Sequence, residues 1–216
     1  SGPRLQYEQP LLAREALCLK KIDHPHVPKL LDFLSSSDRY GATIDHLVMQ
    51  LIVGTTLAQM MEESEEKNSP LSINLAYTII ESVAQTLTDL SMNPKVLHGD
   101  CGPHNILIED QTKQPFVFDF GAATGVYERN KQLFLGHERY AAPEIHNPNL
   151  GDLSPQSDVY SLAIVWQELL TGLWPYGKLS PRSAPSISVE EKKSISLRVA
   201  FLPPHPLTSY PSLKEA

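Results

Sequence analysis

Three short motifs that combine carboxylates with polar side chains follow one another in the middle of this sequence. The first has the pattern His-x-Asp-x-x-x-x-Asn over residues 98–105, the second is Asp-Phe-Gly at 119–121, and the third is Ala-Pro-Glu at 142–144. Carboxylates and side-chain amides supply the oxygen ligands that Mg²⁺ prefers, and a carboxylate without a metal can act as a general base. A single Asp or Asn in a loop is more often a turn or cap residue. The three motifs in this order and at these gaps are a much stronger signal for a site of metal-assisted chemistry.

Together, the three motifs resemble the catalytic core of the protein kinases. The resemblance implies transfer of a phosphoryl group from ATP, with Mg²⁺, to a Ser/Thr hydroxyl of a protein substrate. In that reaction the enzyme mainly positions the reactants and neutralises phosphate charge. By the same resemblance, Asp100 accepts the proton of the attacking hydroxyl, and Asn105 and Asp119 bind the metal ions with the nucleotide. The resemblance gives His98 a structural role.

A second region resembles the part of a kinase that binds adenine. Residues 48–54 are similar to the strand and hinge that line the adenine pocket, with Met49 as the gatekeeper. The resemblance implies that backbone groups of Gln50 and Ile52 bond the adenine edge. It also implies that Leu107 forms the floor of the pocket.

Further matches concern side chains that would hold the site together. Glu15 lies nine residues before His24-Pro25, where kinases place the glutamate of their front-lobe helix, and Asp158 stands where they anchor the catalytic-loop backbone. Four more residues fall where kinases stack side chains into a spine, although ordinary core packing would explain them equally well: Leu19, Leu30, His98 and Phe120.

Hydrophobic periodicity predicts the elements that must position these residues. Helices are predicted over residues 10–22, 56–66, 72–92, 157–171 and 189–199. Strands are predicted over residues 27–33, 46–53, 106–108 and 116–118, with a polar turn at 35–42 and with Gly54 ending the second strand. The second strand is expected to be buried, and the helix at 157–171 is apolar on nearly every side, as core helices are. The apolar face of the helix at 72–92 is expected to be Ile73, Tyr77, Ile80, Ala84 and Leu87.

These elements predict an α+β protein with a small strand-bearing front and a helical rear, and the resemblance implies a two-lobed, protein kinase-like fold. One domain is expected over residues 1–216, with a partial front lobe and hinge at 1–54 and a partial rear lobe at 55–216, truncated at its C-terminal end. No Gly-rich loop or strand lysine stands before Glu15, and the arginine that would pair with Glu144 is missing. The resemblance covers residues 10–202, and the intact motif residues favour a fragment of a working enzyme.

Three substitutions leave the acceptor of the phosphoryl group open. Gly99 replaces the arginine that receives an activation-loop phosphate in most protein kinases, Gly102 replaces the Ser/Thr-kinase lysine, and His137 replaces a threonine. A phosphorylation switch at Thr124 or Tyr127 is therefore not expected, unless another cation such as Arg139 binds the phosphate. A Ser/Thr kinase is the first hypothesis. The alternatives are a pseudokinase that acts as a binding scaffold and, because of the form His-Gly-Asp, a small-molecule phosphotransferase of the aminoglycoside or choline type.

Composition narrows the class of protein. The 216 residues carry a formal net charge of −7, which argues against nucleic acid as a partner. No apolar run is long enough to span a membrane. Two cysteines cannot form a disulfide framework, and a cytoplasmic location is expected. The eight histidines show no metal-ligand spacing along the sequence, so no zinc site is predicted.

Overall fold

The computed structural model describes residues 11–67, 69, 71–125, 137–172 and 174–175. Its α-helices are α1 (Leu11–Leu19), α2 (Leu57–Glu66), α3 (Ile73–Met92), α4 (Pro143–His146) and α5 (Pro155–Thr171). Its strands are β1 (Leu30–Ser37), β2 (Thr43–Met49), β3 (Gly54–Thr56), β4 (Val96–Leu97), β5 (Ile106–Glu109), β6 (Pro115–Val117) and β7 (Thr124–Gly125). This mixture of helices and small antiparallel sheets confirms the α+β class. The helix predicted at 189–199 lies outside the described residues, and the proposed boundary between lobes at residue 54 stays a prediction.

The front of the molecule is an antiparallel hairpin of β1 and β2 that packs against α1. The polar turn predicted at 35–42 is wrong in its first part, because β1 continues through Ser37. The serines belong to the strand since they bond across it: the Ser35 hydroxyl donates to Asp45 Oδ1 at 2.6 Å, and Ser36 Oγ lies 2.8 Å from His46 Nε2. The turn itself is held by Asp38, whose Oδ1 accepts two backbone N–H groups.

The apolar run at 46–53 is not one buried strand. β2 ends at Met49 and is largely exposed, and Leu51 in the following segment is 83% exposed. Gly54 does not end a strand but begins β3, which pairs with β5. A Cβ on Gly54 would lie 2.2 Å from the Ile108 carbonyl oxygen, so glycine is required there by the close approach of two backbones.

The rear of the molecule is built on α3 and α5, which pack against each other. The helix predicted at 72–92 is confirmed, and Ser72 caps it by accepting the Leu75 N–H. Its buried face is offset from the predicted one, because the helix carries apolar residues over a wide arc: Tyr77 is 54% exposed, and the buried residues are Ala76, Ile79, Val83, Thr86, Leu87 and Leu90. α5 is not buried on every side as expected of a core helix, since Val159 is 62% exposed, and its buried face includes the polar Asp158.

Two short pairings place the motif segments side by side. β5 pairs with β6, with Ile106 opposite Val117, and β4 pairs with β7, with Leu97 opposite Thr124. Residues 98–105 therefore connect β4 to β5, while residues 119–121 lie between β6 and β7. Each strand pair therefore holds one end of the first connection beside one end of the second. Within the part of the chain that the structure describes, no helix has the length and apolarity to span a bilayer.

Candidate active site

The loop that follows β4 is anchored to the first turn of α5 by Asp158. This buried carboxylate accepts the His98 N–H at 2.8 Å through Oδ2 and the Gly99 N–H at 2.9 Å through Oδ1. Burial raises the pKa of Asp158, although His98 and the two N–H groups act in the opposite direction. Two short bonds from adjacent backbone groups fix the start of the loop, as the resemblance implied.

Asp100 comes directly after Gly99 in this loop, and only 10% of its side chain is exposed. Its Oδ1 accepts the backbone N–H of His137 at 2.8 Å, and its Oδ2 accepts from Asn105 Nδ2 at 3.1 Å. Burial alone would raise the pKa of the Asp100 carboxyl, but the His104 imidazole and the His137 N–H lower it below its ordinary value. The side chain is therefore an ionised acceptor at neutral pH.

Asn105 and Asp119 are brought close through the backbone. Phe118 donates its N–H to the Asn105 carbonyl oxygen at 3.1 Å, so the next residue in the chain, Asp119, lies close to Asn105. The Asn105 amide nitrogen donates twice to Asp100, which leaves the amide oxygen for a ligand. Asp119 is exposed and has a left-handed backbone with φ +63°, and Gly121 donates its N–H to Asp119 Oδ1 at 3.2 Å. A carboxylate and an amide oxygen fit Mg²⁺.

The segment around Asp119 is tied to the front of the molecule by Glu15. Glu15 is buried on α1, and its Oε1 accepts the Phe120 N–H at 3.3 Å. Burial raises the pKa of Glu15, and the nearby Asp119 carboxylate raises it further. The Phe120 ring lies 4.9 Å from the His98 ring, and both are fully enclosed in the core. Leu19 is buried in the same core cluster, and Leu30 packs against it.

The predicted adenine-binding residues lie on two neighbouring segments. Met49 ends β2, and the Gln50 N–H donates to the Lys29 carbonyl oxygen at 2.8 Å, so only the Gln50 carbonyl remains for a nucleotide. Ile52 is half-buried. Leu107 is half-buried between two buried neighbours on β5, and a Cβ on Gly54 would lie 2.7 Å from Leu107 Cδ2. Leu107 thus lies beside Gly54, the last residue of the predicted adenine-binding segment 48–54.

Two expectations about charged residues are corrected. Glu144 is not left without a partner, because the Ser157 hydroxyl donates to its Oε1 at 2.6 Å. Arg139 is not available to bind a phosphate, since it forms an ion pair with the buried Glu168 and lies 4.7 Å from the Trp174 ring. The Tyr140 hydroxyl also donates to Glu168, at 2.9 Å.

Thr124 and Tyr127, where no phosphorylation switch is expected, differ in whether the structure describes them. Thr124 is buried in β7 opposite Leu97, so its hydroxyl is not presented to a modifying enzyme. Tyr127 lies outside the described residues. Gly99 has φ +77°, and a Cβ there would lie 2.7 Å from the Ala122 carbonyl oxygen, so an arginine does not fit without a backbone shift.

Sequence reasoning missed two histidines beside Asp100. His104 Nε2 lies 3.7 Å and His137 Nδ1 lies 3.6 Å from Asp100 Oδ2, and the two imidazole rings are 3.6 Å apart. The spacing of His104, four residues after Asp100, was a usable signal. His137 is 33 residues beyond His104, and the backbone bond from His137 to Asp100 is a contact between distant parts of the chain that this spacing does not reveal.

Comparison with known proteins gives the same family as the motifs. The family model described as protein kinase domain matches residues 4–212. Serine/threonine-protein kinase PrkC of Bacillus subtilis is 32% identical over 166 residues, which cover 76% of this chain and 24% of that protein. Receptor-like kinase LIP2 of Arabidopsis thaliana is 31% identical over 73% of the chain and 28% of its own length. Probable serine/threonine-protein kinase CE0033 of Corynebacterium efficiens is 29% identical over 83% and 26%. The chain spans about a quarter of the length of these relatives.

Proposed function

This chain belongs to the protein kinase domain family, and from that premise we propose that the protein containing it transfers the γ-phosphoryl group of ATP to a Ser/Thr hydroxyl of a protein. The names of its relatives support the Ser/Thr acceptor. The net charge of −7 favours a protein over a nucleic acid as the partner. A cytoplasmic location is part of the proposal, supported by two cysteines that form no disulfide.

The observation that carries the proposal is the state of Asp100. The carboxylate is nearly enclosed, is kept ionised by its neighbours and is fixed by one backbone N–H and one amide. Such a group can accept the proton of a bound hydroxyl and orient that hydroxyl for attack. Positioned general bases contribute about 10²–10⁴-fold in rate.

Asn105 and Asp119 would hold Mg²⁺ through the amide oxygen and the carboxylate. Bound there, the metal would neutralise charge on the phosphate oxygens of the nucleotide. Asp119 is exposed and can meet a ligand from outside, while Asn105 is buried and positioned by Asp100. Met49, the Gln50 carbonyl, Ile52 and Leu107 would form the adenine pocket. In this arrangement residues 1–54 contribute the front lobe and hinge, and residues 55–216 contribute the rear lobe.

The test compares three variants of the intact protein in a phosphoryl-transfer assay. Asp100→Asn removes the base and is expected to lower kcat at least 100-fold while ATP binding is kept. Asp119→Asn is expected to abolish turnover and to weaken ATP binding only when Mg²⁺ is present. Asp110→Asn, at an exposed turn, is the matched control and should leave both unchanged. Full turnover in Asp119→Asn would show that this carboxylate is only a turn residue.

A scaffold without catalytic activity is the second candidate function. It is supported by Glu15, a buried carboxylate with a raised pKa whose hydrogen bond from the Phe120 N–H is a structural contact that needs no nucleotide. A small-molecule phosphotransferase would share the site but not its acceptor. Incubation of the intact protein with labelled ATP, and with either a peptide library or aminoglycoside and choline, separates the three. Label on peptides supports the kinase, label on small molecules supports the phosphotransferase, and no label on either supports the scaffold.

A further inference from the structure

A compact group of three potential metal ligands surrounds one oxygen of Asp100. His104 Nε2, His137 Nδ1 and an Asp100 carboxylate oxygen all lie within 4.8 Å of one another. The group shares no residue with the pair formed by Asn105 and Asp119, although Asp100 Oδ2 also accepts from Asn105 Nδ2. Imidazole nitrogen suits Zn²⁺ and other transition metals, whereas Mg²⁺ prefers oxygen ligands.

Two of the three distances between ligand atoms are close to those of a tetrahedral site. Zn²⁺ with bonds of about 2.0–2.1 Å holds its ligand atoms roughly 3.3–3.5 Å apart. The two nitrogens lie 3.7 and 3.6 Å from Asp100 Oδ2 and within 4.8 Å of each other, so side-chain movements of up to about 1.5 Å would close the site. The separations from Oδ2 are too long for direct hydrogen bonds, although His104 and Asp100 still interact electrostatically.

One nitrogen of the group is buried without a hydrogen-bond partner. His104 Nε2 has no partner within hydrogen-bonding distance although solvent does not reach it. A buried polar atom without a partner destabilises the folded state. A metal ion bound beside Asp100 Oδ2 would give this nitrogen a bond.

The backbone around Asp100 is arranged so that Oδ2 keeps a free position. The His137 N–H takes Oδ1, and this bond also places the His137 side chain next to Oδ2. Oδ2 accepts from Asn105 Nδ2, which leaves it one further lone pair. The His104 ring fits because residue 102 is glycine: a Cβ on Gly102 would lie 2.5 Å from His104 Cε1.

We propose that Asp100 Oδ2, His104 Nε2 and His137 Nδ1 bind one Zn²⁺ ion and that the bound ion inhibits phosphoryl transfer. The His137 side chain is 60% exposed, which gives the ion an entry path and leaves its fourth position to water. The inhibitory effect rests on the proposed kinase function, because the ion occupies the oxygen that would accept the hydroxyl proton. The binding of zinc itself does not depend on that function.

Zinc binding is measured first, on the purified 216-residue chain, by competition with a chromophoric chelator in the presence of excess Mg²⁺. We expect one equivalent of Zn²⁺ to bind, and His104→Gln and His137→Gln each to weaken binding at least about tenfold. His46→Gln, on the exposed strand β2, is the matched control and should bind as the unaltered chain does. Equal zinc affinity in His104→Gln and the unaltered chain would overturn the proposal.

Two further measurements keep the site and the function apart. Co²⁺ in place of Zn²⁺ should give the intense visible absorption of a tetrahedral site, and Gly102→Ala should weaken it by displacing the His104 ring. Zinc inhibition is then measured in the intact protein, each variant being compared with its own rate in Mg²⁺ without zinc, and His137→Gln should be inhibited at least tenfold less than the unaltered protein. If zinc binds but no transfer activity exists, the site stands and the kinase function fails. If activity exists and zinc inhibits the unaltered protein and His137→Gln equally, the proposal that zinc inhibits through this site is wrong.

Discussion

Replacing Gly99 by alanine tests whether the stability of the loop at residues 98–105 depends on a close approach between two backbone segments. Gly99 has φ +77°, a conformation that costs a residue with a Cβ about 1–2 kcal/mol. The added Cβ would also lie 2.7 Å from the Ala122 carbonyl oxygen. That oxygen belongs to a backbone held by the pairing of β7 with β4, so it cannot rotate aside as a side chain would. Overpacking of this kind costs about 1–3 kcal/mol. We therefore expect a loss of about 3 kcal/mol in the free energy of unfolding.

Gly172 is the matched control for this substitution. It has φ +65° at the end of α5, and no atom lies within 4 Å of where its Cβ would be. Gly172→Ala should therefore show only the conformational cost, about 1 kcal/mol. Urea unfolding gives both free energies, and thermal unfolding should show Tm lowered by about 2–4 °C for each kcal/mol in a chain of this size. Equal losses in the two variants would refute the reasoning, because the segment around Ala122 would then yield to the Cβ at no cost.

Three other predictions follow from burial and hydrogen bonding. Burial and nearby carboxylates raise the pKa of the Cys101 thiol well above its ordinary value, so iodoacetamide should modify Cys18 but not Cys101 until the chain is unfolded, as mass spectrometry would show. Asp158→Asn places an amide where two backbone N–H groups need acceptors and should cost about 3 kcal/mol in urea unfolding, whereas the exposed Asp110→Asn should cost less than about 0.5. Glu15 has a folded pKa above its unfolded value, so its charged form destabilises the fold at neutral pH, and this effect disappears as the pH falls below the ordinary pKa of 4.5. In metal-free buffer Glu15→Gln should thus raise Tm at neutral pH but not at low pH, and a constant difference would contradict the assigned cause.

The sequence predicts the elements best where local signals and tertiary packing agree. The helix predicted at 72–92 begins one residue later, after its capping serine, and ends at the predicted residue, because the cap and the periodicity are both local signals. The prediction fails at 46–53, where an apolar run suggests burial but Leu51 is exposed. Hydrophobicity alone does not show which apolar residues find a partner, and the hairpin of β1 and β2 has few elements packed on it.

The same distinction applies to the candidate site. Asp100 and Asn105 could be predicted because they stand five residues apart in one motif, and their side chains do bond. The proximity of His104 and His137 could not be predicted, since residues 105–136 separate them along the sequence. Glu144 shows a third limit. A missing arginine predicted an unpaired carboxylate, but the fold supplies the hydroxyl of Ser157 instead.

The two halves of the candidate site are held by different parts of the chain and with different strength. Asp158, in the rear core, fixes the loop of Asp100 with two bonds of 2.8 and 2.9 Å. The segment of Asp119 is tied to the front by a hydrogen bond of 3.3 Å from the Phe120 N–H to Glu15, a carboxylate whose charged form burial disfavours. Asp100 is further fixed by the His137 N–H and by Asn105, whereas the position of Asp119 also depends on how α1 packs. A change in the front of the molecule should for this reason displace Asp119 before it displaces Asp100.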